Sequence, residues 1–327
     1  MSHALTADGV VELAVLERSG LEESRHLGAA VVIGPDGDVL RMLGDGDALV
    51  YGRSSLKLFQ AIAVLRSGVA LTGAQLVLAA ASHAGTPPHV AVVRELLAAA
   101  GLGADALQCP ADWPLDSASR SDASEPLRVT MNCSGKHAAF LLACVANGWP
   151  LETYLDPEHP LQHRIRSTVE EFTGQPVGHL GVDGCGAPVF ATTLRGLATA
   201  VGRVSGGPDA SAILLREAVL ENPWAIDGPG RPNTIVIDEL GLICKGGAEG
   251  VIVMGARDGT AVALKSIDGS SRATSLVGLE LLASVGAVSA DEAARVAGLT
   301  TERVLGGGIP VGELRASAVV RATITQA

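Results

Sequence analysis

The chain has 327 residues, 47% of them hydrophobic and 18% charged, with a formal net charge of −11. A charged fraction below the roughly 25% of an average soluble protein excludes a disordered, charge-rich chain. The 24 Lys and Arg are scattered, which excludes the basic stripe that nucleic acid or an anionic membrane would need, and apolar runs such as 138–146 fall well short of the ~20 residues of a bilayer span.

The opening MSHALTADGV has no basic region followed by an apolar one, so the cytoplasm is the expected compartment. Alternating stretches at 11–16, 29–33 and 39–43 predict strands, the last two forming a hairpin across Pro35-Asp36-Gly37. From about 54 to 221 the apolar spacing turns helical, near 54–67, 73–81, 88–100, 134–147, 160–172, 188–202 and 209–221. Pro188 after Gly-Ala reads as a helix start, and Asn147-Gly148 as a stop. The polar stretch 110–128 has no periodicity and reads as a lid, a binding loop or a disordered segment.

Beyond the Gly/Pro loop 227–233, strands are predicted at 234–237, 240–244, 250–254 and 261–266, the last two joined by Arg257-Asp258-Gly259. Helices near 275–284 and 290–297 and a terminal strand around 319–324 follow. Strands at both ends with helices between predict an α+β (layered α/β) fold: one antiparallel sheet built from both chain ends with a helical insertion. The expected division is a sheet subdomain of about 1–53 and 222–327 and a helical subdomain of about 54–221, within one catalytic unit spanning 1–327.

Five Cys at 109, 133, 144, 185 and 244 make no disulfide framework in a chain this long, so reduced thiols or metal ligands are expected. Only four of the 24 basic residues are Lys, at 57, 136, 245 and 265. Three of them sit among small residues, in Ser54-Ser55-Leu56-Lys57, Cys133-Ser134-Gly135-Lys136 and Lys245-Gly246-Gly247. An amine that can lose its proton is the property Lys has and Arg lacks.

Ser54-x-x-Lys57 opens a helix, and the i,i+3 spacing sets hydroxyl and amine on one face as nucleophile and base. By itself the pair reads more readily as a helix cap and a solvated cation; in so Lys-poor a chain function comes first. Ser82-His83 lies on a turn between two helices, either as displayed functional groups or as a cap and a surface His. Cys133 and Cys185 each precede a predicted helix, whose N-terminus favours thiolate. They are metal ligands, a thiolate and nitrogen set that would select zinc, or one of them is a nucleophile, or they are two small buried hydrophobes. Cys144, inside an apolar run, is assigned to the core. Lys245 ends a predicted strand before a Gly-rich loop that admits close backbone approach; the plainer reading is an edge-strand Lys.

An S-x-x-K at an early helix start with a strand-borne Lys-Gly-Gly late in the chain follows the order of serine β-lactamases and penicillin-binding proteins, without their Ser-Asp-Asn; Ser121-Asp122-Ala123 is a partial match. Arg53 through Gln60, Ser82-His83-Ala84-Gly85, and the segments 131–137, 181–188 and 245–250 together resemble the ordered motifs of the rhizobial-type, class 3 L-asparaginases. The resemblance spans about 10–320. It implies a serine β-lactamase-like, glutaminase-related fold, a homodimer, and hydrolysis of L-asparagine to L-aspartate and ammonia.

It further implies Ser54 as nucleophile with Lys57 as base, Ser82 with Lys245 as a second Ser-Lys tandem, and one zinc per chain on Cys133, Lys136 and Cys185. Arg53 and Asp183 match the substrate α-carboxylate and α-ammonium in charge, with His83, Asn132, His137, Gly247 and Glu249 as further substrate-binding candidates, and backbone N–H groups near Ser54 or Gly247 as oxyanion donors. The chain departs from the family in Leu58, where Pro is common, in Thr86, where Glu is common, and in a shorter loop between the two Ser motifs; Gly230-Arg231-Pro232-Asn233-Thr234 matches a Gly-Arg-x-x-Thr loop in part. The alternatives are a glutaminase-like or β-lactam-reactive serine hydrolase, and a silent amino-acid- or zinc-binding homologue.

Overall fold

The computed structural model describes residues 3–322. In chain order the strands are β1 (Val11–Arg18), β2 (Leu21–Ile33), β3 (Val39–Leu43), β4 (Leu49–Tyr51), β5 (His179–Val182), β6 (Pro188–Thr193), β7 (Ile243–Gly247), β8 (Val251–Gly255), β9 (Ala261–Ser266), β10 (Val304–Gly306) and β11 (Ile309–Ala316). The helices are α1 (Lys57–Leu65), α2 (Gly73–Ala80), α3 (Pro87–Ala99), α4 (Ser117–Asp122), α5 (Ser134–Asn147), α6 (Pro160–Thr173), α7 (Leu194–Gly206), α8 (Ala210–Glu221), α9 (Pro232–Leu240), α10 (Thr274–Ser284), α11 (Ala290–Thr300) and α12 (Ala318–Arg321). None of the described helices is long and apolar enough to cross a membrane.

The chain divides into two compact units. Among the described residues, the first runs up to Ser55 and takes in Thr192–Gly207 and those from Ile235 onward. Its antiparallel sheet has the order β10-β11-β1-β2-β9-β8-β7, with β3 paired to β2, so both chain ends build one sheet as expected. The helices α7 and α10 cover opposite faces. On one, an added Cβ on Gly202 would stand 2.6 Å from the carbonyl of Gly259, in the turn before β9, and 3.5 Å from the Ala261 Cβ in β9; on the other, Gly278 packs on Met254. The alternation of side chains along a strand then sets residues 261, 263 and 265 of β9 on the α7 face. Their partners 255, 253 and 251 in β8, and 243, 245 and 247 in β7, share it.

The second unit comprises Leu56–Ala191 and Pro208–Thr234. Its centre is α5, buried around its whole first half from Ser134 through Leu141, a helix apolar enough to be enclosed. Cα-level packing joins it to α1, α2 and α3. The glycine at 135 is required by that packing: a Cβ there would lie 2.6 Å from the Leu78 carbonyl.

Four expectations are corrected. Residues 188–202 are not one helix: β5 and β6 form an antiparallel hairpin and α7 begins only at Leu194, capped by the Thr193 hydroxyl, which accepts from Gly196 N–H at 2.9 Å. The run 234–237 is helical, because Pro232 opens α9 and Val236 and Ile237 bury against the core; the strand follows after Gly241, whose φ of +64° ends the helix. The last strand is β11, and Ser317 caps the short α12 where a strand was expected; residues 323–324 of that expectation lie outside the described ones. The division at 54–221 is also redrawn, since α7 packs on the sheet. Within 110–128, Asp116 caps α4 through the Ser119 N–H at 2.8 Å, so the polar stretch carries a helical turn.

Candidate active site

The candidate residues fall into two groups, one in each unit. In the sheet unit, Arg53 has a φ of +49° and opens a 3-10 turn, Arg53–Leu56. That turn leaves Ser54 half-buried with no side-chain hydrogen bond among the described residues, whereas the Ser55 hydroxyl is spent on Gly52 O at 2.6 Å. Strand β7 lies against this turn. A Cβ on Gly247 would stand 3.0 Å from Gly52 O and 3.2 Å from Ser54 N, so any other residue there requires the neighbouring backbone to give by a few tenths of an ångström. Lys245 sits in mid-strand, not at its end, fully buried, and its amine donates to Gly246 O at 2.8 Å.

In the helical unit, Lys57 is also buried. Its amine lies 2.6 Å from Ala81 O, 3.0 Å from Ser82 Oγ and 3.1 Å from Cys133 Sγ. Lys57, Ser82 and Cys133 are thereby brought together. Cys133 caps α5 as expected, but Cys185 does not precede a helix. It is buried at the turn of the β5–β6 hairpin, which Asp183 closes by donating its N–H to Ala187 O at 2.8 Å. Lys136, in the first turn of α5, donates to Cys185 Sγ at 3.1 Å.

The two thiols differ in ionisation. A hydrogen bond from Cys133, helped by the Lys136 charge, drives the Cys185 pKa far down against the cost of burial. The same hydrogen bond, together with burial, pushes Cys133 up. Burial lowers Lys136, but the charges of Cys185 and Cys133 outweigh it and the net shift is upward. Cys144 is core as expected, its thiol pushed up to about 12 by burial. No group of three or more His, Cys, Asp or Glu among the described residues is arranged to hold a metal. The expected ligand set is of a different kind: two sulfurs and an amine, gathered in one buried pocket, with the His137 Nε2 beside them buried and unpartnered. Soft sulfur with nitrogen suits zinc in donor type.

Two further candidates are defined by their neighbours. His83 is wholly buried with both ring nitrogens engaged, Nε2 with Ser134 Oγ at 2.9 Å and Nδ1 accepting from Gly85 N–H at 3.2 Å. Through these two bonds it orders the 82–85 turn. His137 Nδ1 meets the Tyr154 hydroxyl at 2.7 Å, and that hydroxyl accepts from Gln108 N–H at 2.9 Å. Asn132 Oδ1 lies 3.1 Å from Cys133 Sγ, while Glu249 stands exposed in a left-handed conformation, φ +61°.

Sequence reasoning missed Tyr154 and Asp227. Tyr154 is fully buried and one of only two Tyr in the chain, a rarity that was the available signal. Asp227 is buried beneath the partly matching loop, accepting from Arg231 at 2.6 Å and Asn233 at 3.0 Å. Thr86, the departure from Glu, has a local role: its hydroxyl forms a capping box with His89 at the start of α3.

Burial lowers the pKa of His83, His89 and His137, so all three are neutral in the fold while their unfolded counterparts charge below about pH 6.5. The unfolded state then binds more protons, and stability is full above pH 6.5 and is lost as pH falls, by up to about 1.4 kcal/mol per proton per pH unit. Urea unfolding at pH 7.0 and 5.5 is expected to show lower stability at 5.5; equal or higher stability there would refute neutral burial of these rings.

Comparison with known proteins adds the following. A family model described as L-asparaginase II matches residues 14–316. No curated protein matches the chain. Among solved structures, Mglu in its native form is similar at 14% identity and a TM-score of 0.42, the match covering 76% of this chain and 61% of that one; the chain thus spans less than two thirds of that protein's length. A β-lactamase from Mycobacterium bovis is similar at 15% identity and a TM-score of 0.37, over 74% of this chain and 88% of that one.

Proposed function

The chain belongs to the L-asparaginase II family, an amidohydrolase family, and on that premise we propose that it hydrolyses L-asparagine to L-aspartate and ammonia with Ser54 as nucleophile and Lys57 as base. The observation that carries this reading is the Lys57 amine, buried, 3.0 Å from the Ser82 hydroxyl and three residues after the unengaged hydroxyl of Ser54. Ser54 Oγ attacks the side-chain amide carbon, and its proton passes to Lys57, which must be the neutral amine to accept it. Ser82 hands a proton from Lys57 to the departing nitrogen, so that ammonia leaves and an ester to Ser54 remains. Water, deprotonated by the same amine, then cleaves the ester and releases aspartate.

Lys245 is assigned, by the family resemblance, to assist Ser82. The Ser54 N–H, beside Gly247, would donate to the oxyanion. Arg53 and Asp183 would take the two charged ends of the substrate's α-carbon, and His83, Asn132, His137, Gly247 and Glu249 are the further contacts the family resemblance implies. A second reading has Ser82 as the nucleophile, favoured by its direct hydrogen bond from Lys57. Homodimer formation and a cytoplasmic setting are proposed from the family alone.

Cys133, Lys136 and Cys185 would hold one zinc, which when bound supplies fixed positive charge that orients nearby polar groups. Lys136 would have to ligate as the neutral amine. Metal analysis of freshly purified protein is expected to give about one zinc per chain, and Cys185→Ser less than about a fifth of that, because a thiolate site rarely survives loss of a ligand. A wild type without zinc, or a variant that keeps it, would remove the assignment.

The test of the function is ammonia release from L-asparagine, run beside L-glutamine and a chromogenic cephalosporin. Release from asparagine supports the reading; turnover of glutamine or the cephalosporin alone gives the serine-hydrolase alternative. A raised melting temperature with asparagine and no ammonia identifies a silent binder.

A further inference from the structure

Of the four Lys, Lys265 is the one the proposed chemistry leaves unused. It interrupts β9, whose other residues are all buried, on a strand with both faces covered by helices, where a long cation has no packing reason to stand. Its register row is Gly247–Val251–Lys265, two strand spacings or about 10 Å across the sheet from Gly247, and its side chain shares the sheet face of Lys245.

Lys265 is half-buried, and its amine is turned to the backbone. It donates to the backbone carbonyls of Glu249 and Ser266. Glu249 and Gly250 form the turn between β7 and β8 with two successive left-handed residues, φ +61° and +67°. A non-glycine in that conformation persists only where its surroundings hold it. The holding contacts all come from the end of β9 and the loop after it. Ser266 N–H donates to Gly250 O at 2.9 Å, a Cβ on Gly250 would lie 2.7 Å from Ser270 O, and the Glu249 carboxylate stands over Gly269. Lys265 is the one long side chain among these ties, and burial together with the neighbouring Arg53 charge lowers its pKa while Glu249 and Asp268 oppose them.

From the other side the same turn ends at Gly247, which abuts Gly52, Arg53 and Ser54. A displaced Glu249 carbonyl therefore moves the strand end that lines Arg53 and Ser54. We propose that Lys265 is a positioning residue that fixes the 247–250 turn, and through it the substrate-binding ends of Arg53, Gly247 and Glu249. The proposal rests on the asparaginase reading for its effect on turnover, and on the geometry alone for its effect on the turn.

Two readouts test it. Lys265→Met, which keeps the length of the side chain, is expected to raise KM for L-asparagine about tenfold with kcat within about threefold, the pattern of lost positioning of bound substrate. Lys265→Arg, which restores a donor, is expected to recover most of the loss. Amide hydrogen exchange is expected to quicken in Lys265→Met at residues 247–250 and to stay unchanged in β1 and β2. Unchanged KM with unchanged exchange at 247–250 would overturn the proposal. So would exchange that quickens across the whole sheet, since Lys265 would then support the core in general. If the wild type fails to hydrolyse asparagine, the functional reading falls, while the exchange pattern still decides whether Lys265 holds the turn.

Discussion

Ser54→Ala is expected to lower kcat/KM for L-asparagine by about 10³- to 10⁴-fold, close to the loss seen when a covalent nucleophile is removed. At 1.36 kcal/mol per decade that is about 4–5.5 kcal/mol of transition-state stabilisation. The effect should be confined to catalysis. Ser54 is half-buried and donates to no neighbour, so the methyl of Ala leaves no buried group unpaired, and thermal stability should change by about 0.5 kcal/mol or less. Ser55, whose hydroxyl bonds Gly52 O, provides a control on the same turn: Ser55→Ala should cost stability and leave the chemistry in place. Steady-state ammonia release with a melting curve for each variant makes the comparison. A Ser54→Ala protein that keeps more than about a tenth of wild-type activity would sink the nucleophile assignment. If Ser82→Ala then proved inert, the second reading would replace the first.

Lys57→Met is expected to be the other large loss, about 10³-fold in kcat, since one group would accept the nucleophile's proton and feed Ser82. Met fills nearly the same volume and avoids the cavity that Ala would open. It also strips Ala81 O, Ser82 Oγ and Cys133 Sγ of a shared donor, so a stability cost of about 1–3 kcal/mol should accompany the loss. The two effects separate in single-turnover kinetics on the folded fraction. A folded Lys57→Met enzyme with near-normal acylation would show that this amine is structural.

Much of the candidate site was legible because its signals are local. A Lys-poor chain that places three of its four Lys among Ser, Gly and Cys advertises amines that must be buried, and Lys57, Lys136 and Lys245 are each at most 1% exposed. The helical segment after Arg53, the place of Cys133 at the head of α5 and the turn at Ser82 follow from spacing and from residue type, whereas the 3-10 turn that carries Ser54 does not. His83 shows the opposite limit. Nothing in Ser82-His83-Ala84-Gly85 tells that Ser134 and Gly85 will take both ring nitrogens, because one of those partners lies 51 residues away.

The misread elements have the same cause. Pro188 with apolar neighbours fits a helix start, and it fits equally the first residue of a strand; pairing with β5 and the hairpin turn at Asp183 decided it. The β-branched run at 234–237 favours a strand by propensity, and burial of Val236 and Ile237 on one helical face overrode it.

What the sequence determined by itself was the family, the sheet drawn from both chain ends, and the reactive residue types, since motif order and apolar periodicity are properties of the chain. Which groups meet was decided only in three dimensions. That Lys57 bonds Ser82 and Cys133, that Cys185 reaches Lys136 from a hairpin, and that Lys265 ties down Glu249 all depend on contacts between distant segments, whose approach is set by packing and backbone satisfaction across the fold.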